Sequence, residues 1–281
     1  MANISFIWID SNEMKYGFFF IFLMVSCSEN MDHVKHDSKL MALLWLQNSI
    51  EYEAISYQVY QTAEGYLDVA LQQSDWFAYT AEDYNETLPP AIIVSIDETV
   101  LSSVSYYSGL LKSQLVETER TRQNWMNQVR AKAIKGAVYF LKKAHAKGVT
   151  IFYVTKRTRS VIETTRLNLK NLGFPLEPGF ETILTPREID LNGEMRRKLI
   201  AKNYRIIMIF GNDLNDFSDE FYETSIERRS EIVHAKRQNF GKYWYILPNP
   251  VYGSWDDALF FYDYQVSDQE KQERRLEYLE Y

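Results

Sequence analysis

The sequence predicts an α/β fold, a three-layer sandwich around a central parallel sheet with a helical segment ahead of it. Residues 91–94 form an apolar run that follows Pro89-Pro90 and ends in the polar stretch Ser95-Ile96-Asp97-Glu98-Thr99. That is the pattern of a strand buried on both faces. Further apolar runs at 149–155, 206–210 and 243–247 alternate with helical periodicities, and strands separated by helices imply right-handed crossovers and parallel pairing. With 281 residues, 46% apolar and 15% aromatic, the chain has ample material for a packed core. Its formal net charge of -7 leaves no dominant basic surface to neutralise a nucleic-acid backbone, so nucleic acid is not an expected partner.

Taken in order, the chain opens with an apolar stretch at 16–26 that follows Lys15 and ends at Cys27, the only cysteine. A single cysteine excludes an intrachain disulfide and a cysteine metal cage. The stretch is short for a bilayer span and has the length of a signal-peptide core. Met24-Val25-Ser26-Cys27 resembles a bacterial lipobox, which makes Cys27 the expected lipidation site. The alternative is a buried core segment with an ordinary cysteine. On the lipobox reading the signal starts at Met14, residues 1–27 are an upstream extension plus signal peptide, and the mature chain is tethered by lipid. Ser28 after the cysteine resembles sorting to the outer membrane, facing the periplasm or the surface.

Residues 28–37 read as a polar linker. At 38–88, Leu40, Leu43, Leu44 and Leu46, then Ile50, Ala54 and Ile55, recur at helical spacing and predict about two helices. Within 89–260, helices are expected at 120–130 around Trp125, at 135–147 closed by Gly148, at 160–172 ended by Gly173, and at 194–203. Residues 261–281 form a charge-rich tail ending QEKQERRLEYLEY, read as a solvated helical face.

Ligands of open α/β sheets bind beyond the carboxyl ends of the strands, which singles out Ser95, Asp97 and Thr99. Four patterns then occur in order: VSIDETVLSS, FYVTKR at 152–157, IFGNDLNDF at 209–217 and NFGKYWYILPNPVYGSW at 239–255. With LLWLQNSIEYEAISYQVY at 43–60, they resemble the class C acid phosphatases, a branch of the haloacid dehalogenase (HAD) superfamily that includes lipoprotein e type 5′-nucleotidases. The resemblance implies a HAD-like Rossmannoid domain with a small cap, phosphomonoester or nucleoside monophosphate substrates, and Mg²⁺ as cofactor.

The family's first motif is DxDxT. Its first aspartate attacks phosphorus and its second is the general acid and base. Carried over, Asp97 matches the acid/base, whereas Ser95 stands at the nucleophile position. Thr155 matches the phosphate-binding hydroxyl, with Arg157 and Thr99 as further phosphate-binding candidates. The family's GDNLDDF reads here Gly211-Asn212-Asp213-Leu214-Asn215-Asp216-Phe217. Asn212 therefore stands where a metal-binding aspartate is expected, Asp216 is retained, and Asp213 restores the metal site only if the loop is shifted. The third-motif lysine would fall at Asn192 or Gly193, with Arg196 or Arg197 placed to reach the site instead. Tyr106 and Tyr252 are candidates for stacking on a substrate base, the alternative being core packing.

A serine with no adjacent base is a poor nucleophile, and serine and asparagine are weak ligands for a hard cation. The expectation is a lipid-anchored phosphatase-like protein, catalytically impaired or inactive, with weak or absent Mg²⁺ binding. An active phosphatase with a remodelled site is the alternative.

Overall fold

The computed structural model describes residues 31–79, 87–186 and 193–280. The apolar run after the proline pair forms β1 (Pro90–Ser95), and it is the middle strand of the main sheet. Two long helices precede it, α1 (Met31–Asn48) and α2 (Ile50–Gln72). After β1 come β2 (Leu101–Ser102), α3 (Val104–Ser113), α4 (Glu119–Met126), β3 (Lys132–Ala133), α5 (Ala137–Ala146), β4 (Thr150–Val154) and α6 (Ile162–Leu172). The remainder is β5 (Ile183–Leu184), α7 (Glu194–Ala201), β6 (Arg205–Gly211), α8 (Ile226–Ala235), β7 (Trp244–Ile246), α9 (Ser254–Ala258) and α10 (Asp268–Glu277).

The five main strands lie in the order β5-β4-β1-β6-β7 and pair in parallel, as the alternation of strands and helices requires. Successive residues of β1 alternate between two cores. Ile92 and Val94 pack with α2, α5 and α6 through Tyr60, Leu67, Phe140 and Leu169, whereas Ala91 and Ile93 pack with α7 and α8 through Ile200 and Ile232. Three layers result. β2 and β3 form a separate antiparallel pair that, with α3 and α4, stands over the sheet rim as a small cap. A third cluster, Leu43, Leu46 and Tyr52 against Val104, Tyr106 and Tyr107, binds the leading helices to that cap.

α2 belongs to the domain and is not a detachable leader. Tyr60 and Leu67 are each 1% exposed, and Tyr60 stacks on Phe210 of β6 at 5.3 Å between ring centroids. Burying side chains of this size stabilises by about 1.5–3 kcal/mol each. Arg205, at the start of β6, donates from Nη1 to the carbonyls of Ala70, Gln73 and Trp76 at 2.9, 2.9 and 3.1 Å. A buried cation thus meets the carbonyls that the end of α2 leaves open.

Two sequence expectations shift. α1 begins at Met31, inside the stretch read as a linker. The charged tail contains α10, and Arg275 forks onto both oxygens of Asp256 at 3.1 and 2.8 Å, so one face of this helix is docked on α9. Among the described residues, no helix is long and apolar enough to cross a membrane. Cys27 and the apolar stretch at 16–26 lie outside the described residues.

Candidate active site

Strand register builds the site. Val94 sits beside Tyr153 and Phe210, and Ser95 beside Val154, so the loops after β1, β4 and β6 leave the sheet at one rim. They bring Ser95, Asp97, Thr155, Arg157, Asn212, Asp213 and Asp216 to the wall of one cleft of about 390 Å³. The cap closes its far side with Tyr106, Tyr107 and Trp125. Tyr106 lies 5.7 Å from Trp125, and Tyr107 lies 5.1 Å from Tyr252 between ring centroids. Both stacking candidates therefore line the cleft.

Asp97 is held by a fork. Arg157 Nε donates to Oδ2 at 3.0 Å and Nη2 donates to Oδ1 at 2.7 Å, while Nη1 donates to the Thr165 hydroxyl at 2.8 Å. The Arg157 side chain is 3% exposed and that of Asp97 24%. A bidentate guanidinium–carboxylate pair of this kind is strong and strongly oriented. The fork takes one lone pair on each oxygen and fixes the plane of the carboxylate at the cleft wall.

Thr155 is buried, and its hydroxyl accepts from the Arg157 amide at 3.2 Å. Its carbonyl accepts from Arg196 Nη1 at 2.6 Å. Arg197 donates from Nη1 to the carbonyls of Asn215 and Asp216, each at 3.1 Å, and from Nη2 to Asp219 at 2.7 Å. These two arginines hold the loops after β4 and β6 from beneath.

In the loop after β6, Asp216 Oδ2 accepts from the amides of Asn212 and Asp213 at 3.0 and 3.2 Å. Its carboxyl fills the space over Gly211, where an added Cβ would lie 2.4 Å from Asp216 Cβ. Burial, and then the charge of Asp213, push the Asp216 carboxyl up to about 6. Asp213 turns toward α9: Oδ2 accepts from the Ser254 amide at 2.7 Å, and Oδ1 accepts from the Ser254 hydroxyl and, at 3.0 Å, from the Asn215 amide. Burial raises this carboxyl, but the charge of Lys156 and the donors from Ser254 and Asn215 outweigh it and hold it below the usual carboxylate range.

The side chains present do not fit a magnesium site. Mg²⁺ demands near-octahedral oxygen ligands with carboxylates among them. Ser95 and Asn212 are neutral, Asp97 is forked onto Arg157, and both oxygens of Asp213 are engaged by Ser254. Among the described residues, no group of three or more His, Cys, Asp or Glu side chains is placed to hold a metal ion. Asp213, one position from Asn212, accepts three hydrogen bonds from Ser254 and Asn215 that turn its carboxylate toward α9.

Comparison with known proteins bears on this arrangement directly. The family model for the HAD superfamily, subfamily IIIB (acid phosphatase), matches residues 25–255. The chain belongs to that family. Among solved structures, this acid-phosphatase-family chain is similar to the class C acid phosphatase from Bacillus anthracis, determined with tungstate bound. The two are 33% identical, with a TM-score of 0.78, over 88% of this chain and 98% of that one. Among curated proteins it is similar to a stem 31 kDa glycoprotein of Glycine max, 27% identical over 185 residues, which are 64% of this chain and 65% of the relative. A stem 28 kDa glycoprotein of the same plant is 26% identical over 148 residues, 49% of this chain and 56% of the relative. The match thus spans less than two thirds of either glycoprotein.

One phosphate-binding candidate stands apart. Thr99 is fully buried and does not line the cleft, and its carbonyl accepts from the Tyr60 hydroxyl at 2.6 Å. Glu98, just before it, has φ 51° and is itself buried, with Oε1 accepting from the Ser103 amide at 2.6 Å. Burial pushes the Glu98 carboxyl up to about 7 against the opposing hydrogen bonds from Ser103. Sequence reasoning also passed over Lys156, Arg122 and Ser254, all of which line the cleft. Lys156 was legible in FYVTKR, between two residues already singled out. The position expected for the third-motif lysine holds Gly193, the N-cap of α7, or Asn192, which lies outside the described residues.

Proposed function

We propose that this protein is a lipid-anchored, cell-envelope member of the acid phosphatase family that binds phosphomonoesters in its cleft and hydrolyses them poorly or not at all. The observation that carries this reading is the pair at the end of β1: Ser95 at the nucleophile position and Asp97 committed to Arg157. Among the described residues no histidine lines the cleft, so none is placed to take the proton of the Ser95 hydroxyl. Loss of the nucleophile from a catalytic unit costs about 10⁶ in kcat, roughly 8 kcal/mol of transition-state stabilisation. The intact cleft, Thr155 and the aromatic wall support retained binding of an ester with a flat group, such as a nucleoside monophosphate. Tethering through Cys27 is supported by the sequence order of Lys15, the apolar stretch and Ser26.

Phosphorus NMR of phenyl phosphate mixed with the protein tests the reading. A broadened ester signal with no growth of inorganic phosphate over a day is the expected result. Steady conversion to inorganic phosphate that disappears in Asp97→Asn would establish an active enzyme with a different nucleophile and overturn it.

A further inference from the structure

Among the described residues, Lys156 is the cleft-lining cation left to a ligand. Arg157 is spent on Asp97 and Thr165, and Arg122 is paired with Glu117. Arg197 is paired with Glu194 and Asp219, and Arg196 holds the carbonyl of Thr155. Lys156 directly follows Thr155 at the end of β4, lines the cleft and is exposed, and it enters no ion pair among the described residues. Its charge nevertheless reaches the cleft acids, acting to lower the carboxyls of Asp213, Asp216 and Asp257.

A lysine ammonium on a four-carbon stem carries three donors that rotate to suit an oxyanion. The acids that would otherwise recruit a metal already have oxygens filled by Arg157, Ser254 and backbone amides. The cleft therefore contains a positive charge of its own next to Thr155. We propose that Lys156 is the phosphate-binding cation of this site, so that a phosphate group is held there without a divalent metal. The proposal rests on the reading of the cleft as a phosphate site, but not on whether bound ester is hydrolysed.

Calorimetric titration of inorganic phosphate into the full chain tests it, in EDTA and again with excess Mg²⁺, for the parent, Lys156→Met and Lys156→Arg. Affinity in EDTA within about twofold of that with Mg²⁺ is expected. Lys156→Met should weaken binding by about tenfold or more, equivalent to losing one charge-assisted hydrogen bond. Lys156→Arg should recover most of the affinity. Because the side chain is exposed, all three proteins should show the same circular dichroism and melting temperature. Parent binding only with Mg²⁺, no parent binding at all, or unchanged affinity in Lys156→Met would each overturn the assignment. Phosphate ester turnover with Lys156-dependent, metal-free binding would instead overturn only the impaired-enzyme reading.

Discussion

Cutting the Asp97–Arg157 fork should unfold the protein more easily, which is not what removal of an idle active-site carboxylate would do. Arg157 has a 3% exposed side chain, so Asp97→Ala strands a guanidinium with only the Thr165 hydroxyl and scattered water as partners. Breaking a buried ion pair costs about 3–5 kcal/mol. Asp97 is 24% exposed, which admits some water and places the cost near the lower end, at about 3 kcal/mol. For a domain of this size that corresponds to a melting temperature lower by about 6–12 °C. Arg157→Met should cost less, about 2 kcal/mol, because the partner left behind can reach cleft water. In Asp97→Ala with Arg157→Met neither charge is stranded, and the pair should be coupled by about 1–3 kcal/mol. Urea unfolding at pH 7 measures this through the midpoint at constant slope. A midpoint for Asp97→Ala within about 0.5 kcal/mol of the parent, or strictly additive effects, would refute a structural role for the fork.

Gly211→Ala should be strongly destabilising for a steric reason, because its methyl would lie 2.4 Å from Asp216 Cβ. Overpacking of this order costs about 1–3 kcal/mol, and Asp216→Gly in the same chain should recover part of the loss in urea unfolding. Glu98→Gln should stabilise the protein in a pH-dependent way. The folded-state carboxyl stands at about 7 against an ordinary value of 4.5, so the folded state binds more protons between those limits and stability falls as pH rises through them. The amide removes that penalty. Its advantage should be small at pH 4.5, grow to pH 7 and then level off, reaching at most about 3 kcal/mol. A gain that does not change between pH 5 and 8 would show that Glu98 is not the titrating group.

The skeleton of the fold was legible in the sequence because β1, β4 and β6 are buried on both faces and so read as continuous apolar runs. Their parallel pairing then fixed which residues share the rim. The loops were less legible. Thr99 was expected beside Ser95 and Asp97 on the two-residue period of an extended strand, but the left-handed backbone of Glu98, φ 51°, breaks that period and turns Thr99 into the core. β5 is two residues long and takes its identity from pairing with Tyr153 and Val154, which no local pattern encodes. The fork between Asp97 and Arg157 joins positions 60 apart, and Ser254 meets Asp213 across 41. Such partners follow from topology. The polar stretch before residue 38 lacks the apolar spacing that marks a helix, yet α1 runs through it from Met31.

The most direct test of the central claim is the initial rate of aryl phosphate and nucleoside monophosphate hydrolysis, with Mg²⁺, from acidic to neutral pH. It should be measured for the soluble form beginning after Cys27 and for the same form carrying Ser95→Asp and Asn212→Asp. A parent rate at the uncatalysed background is expected, with a Mg²⁺-dependent rise in the double variant, because the two substitutions supply a carboxylate at the nucleophile position and another at the metal-ligand position on an unchanged scaffold. A parent rate well above background that Asp97→Asn abolishes would contradict that claim.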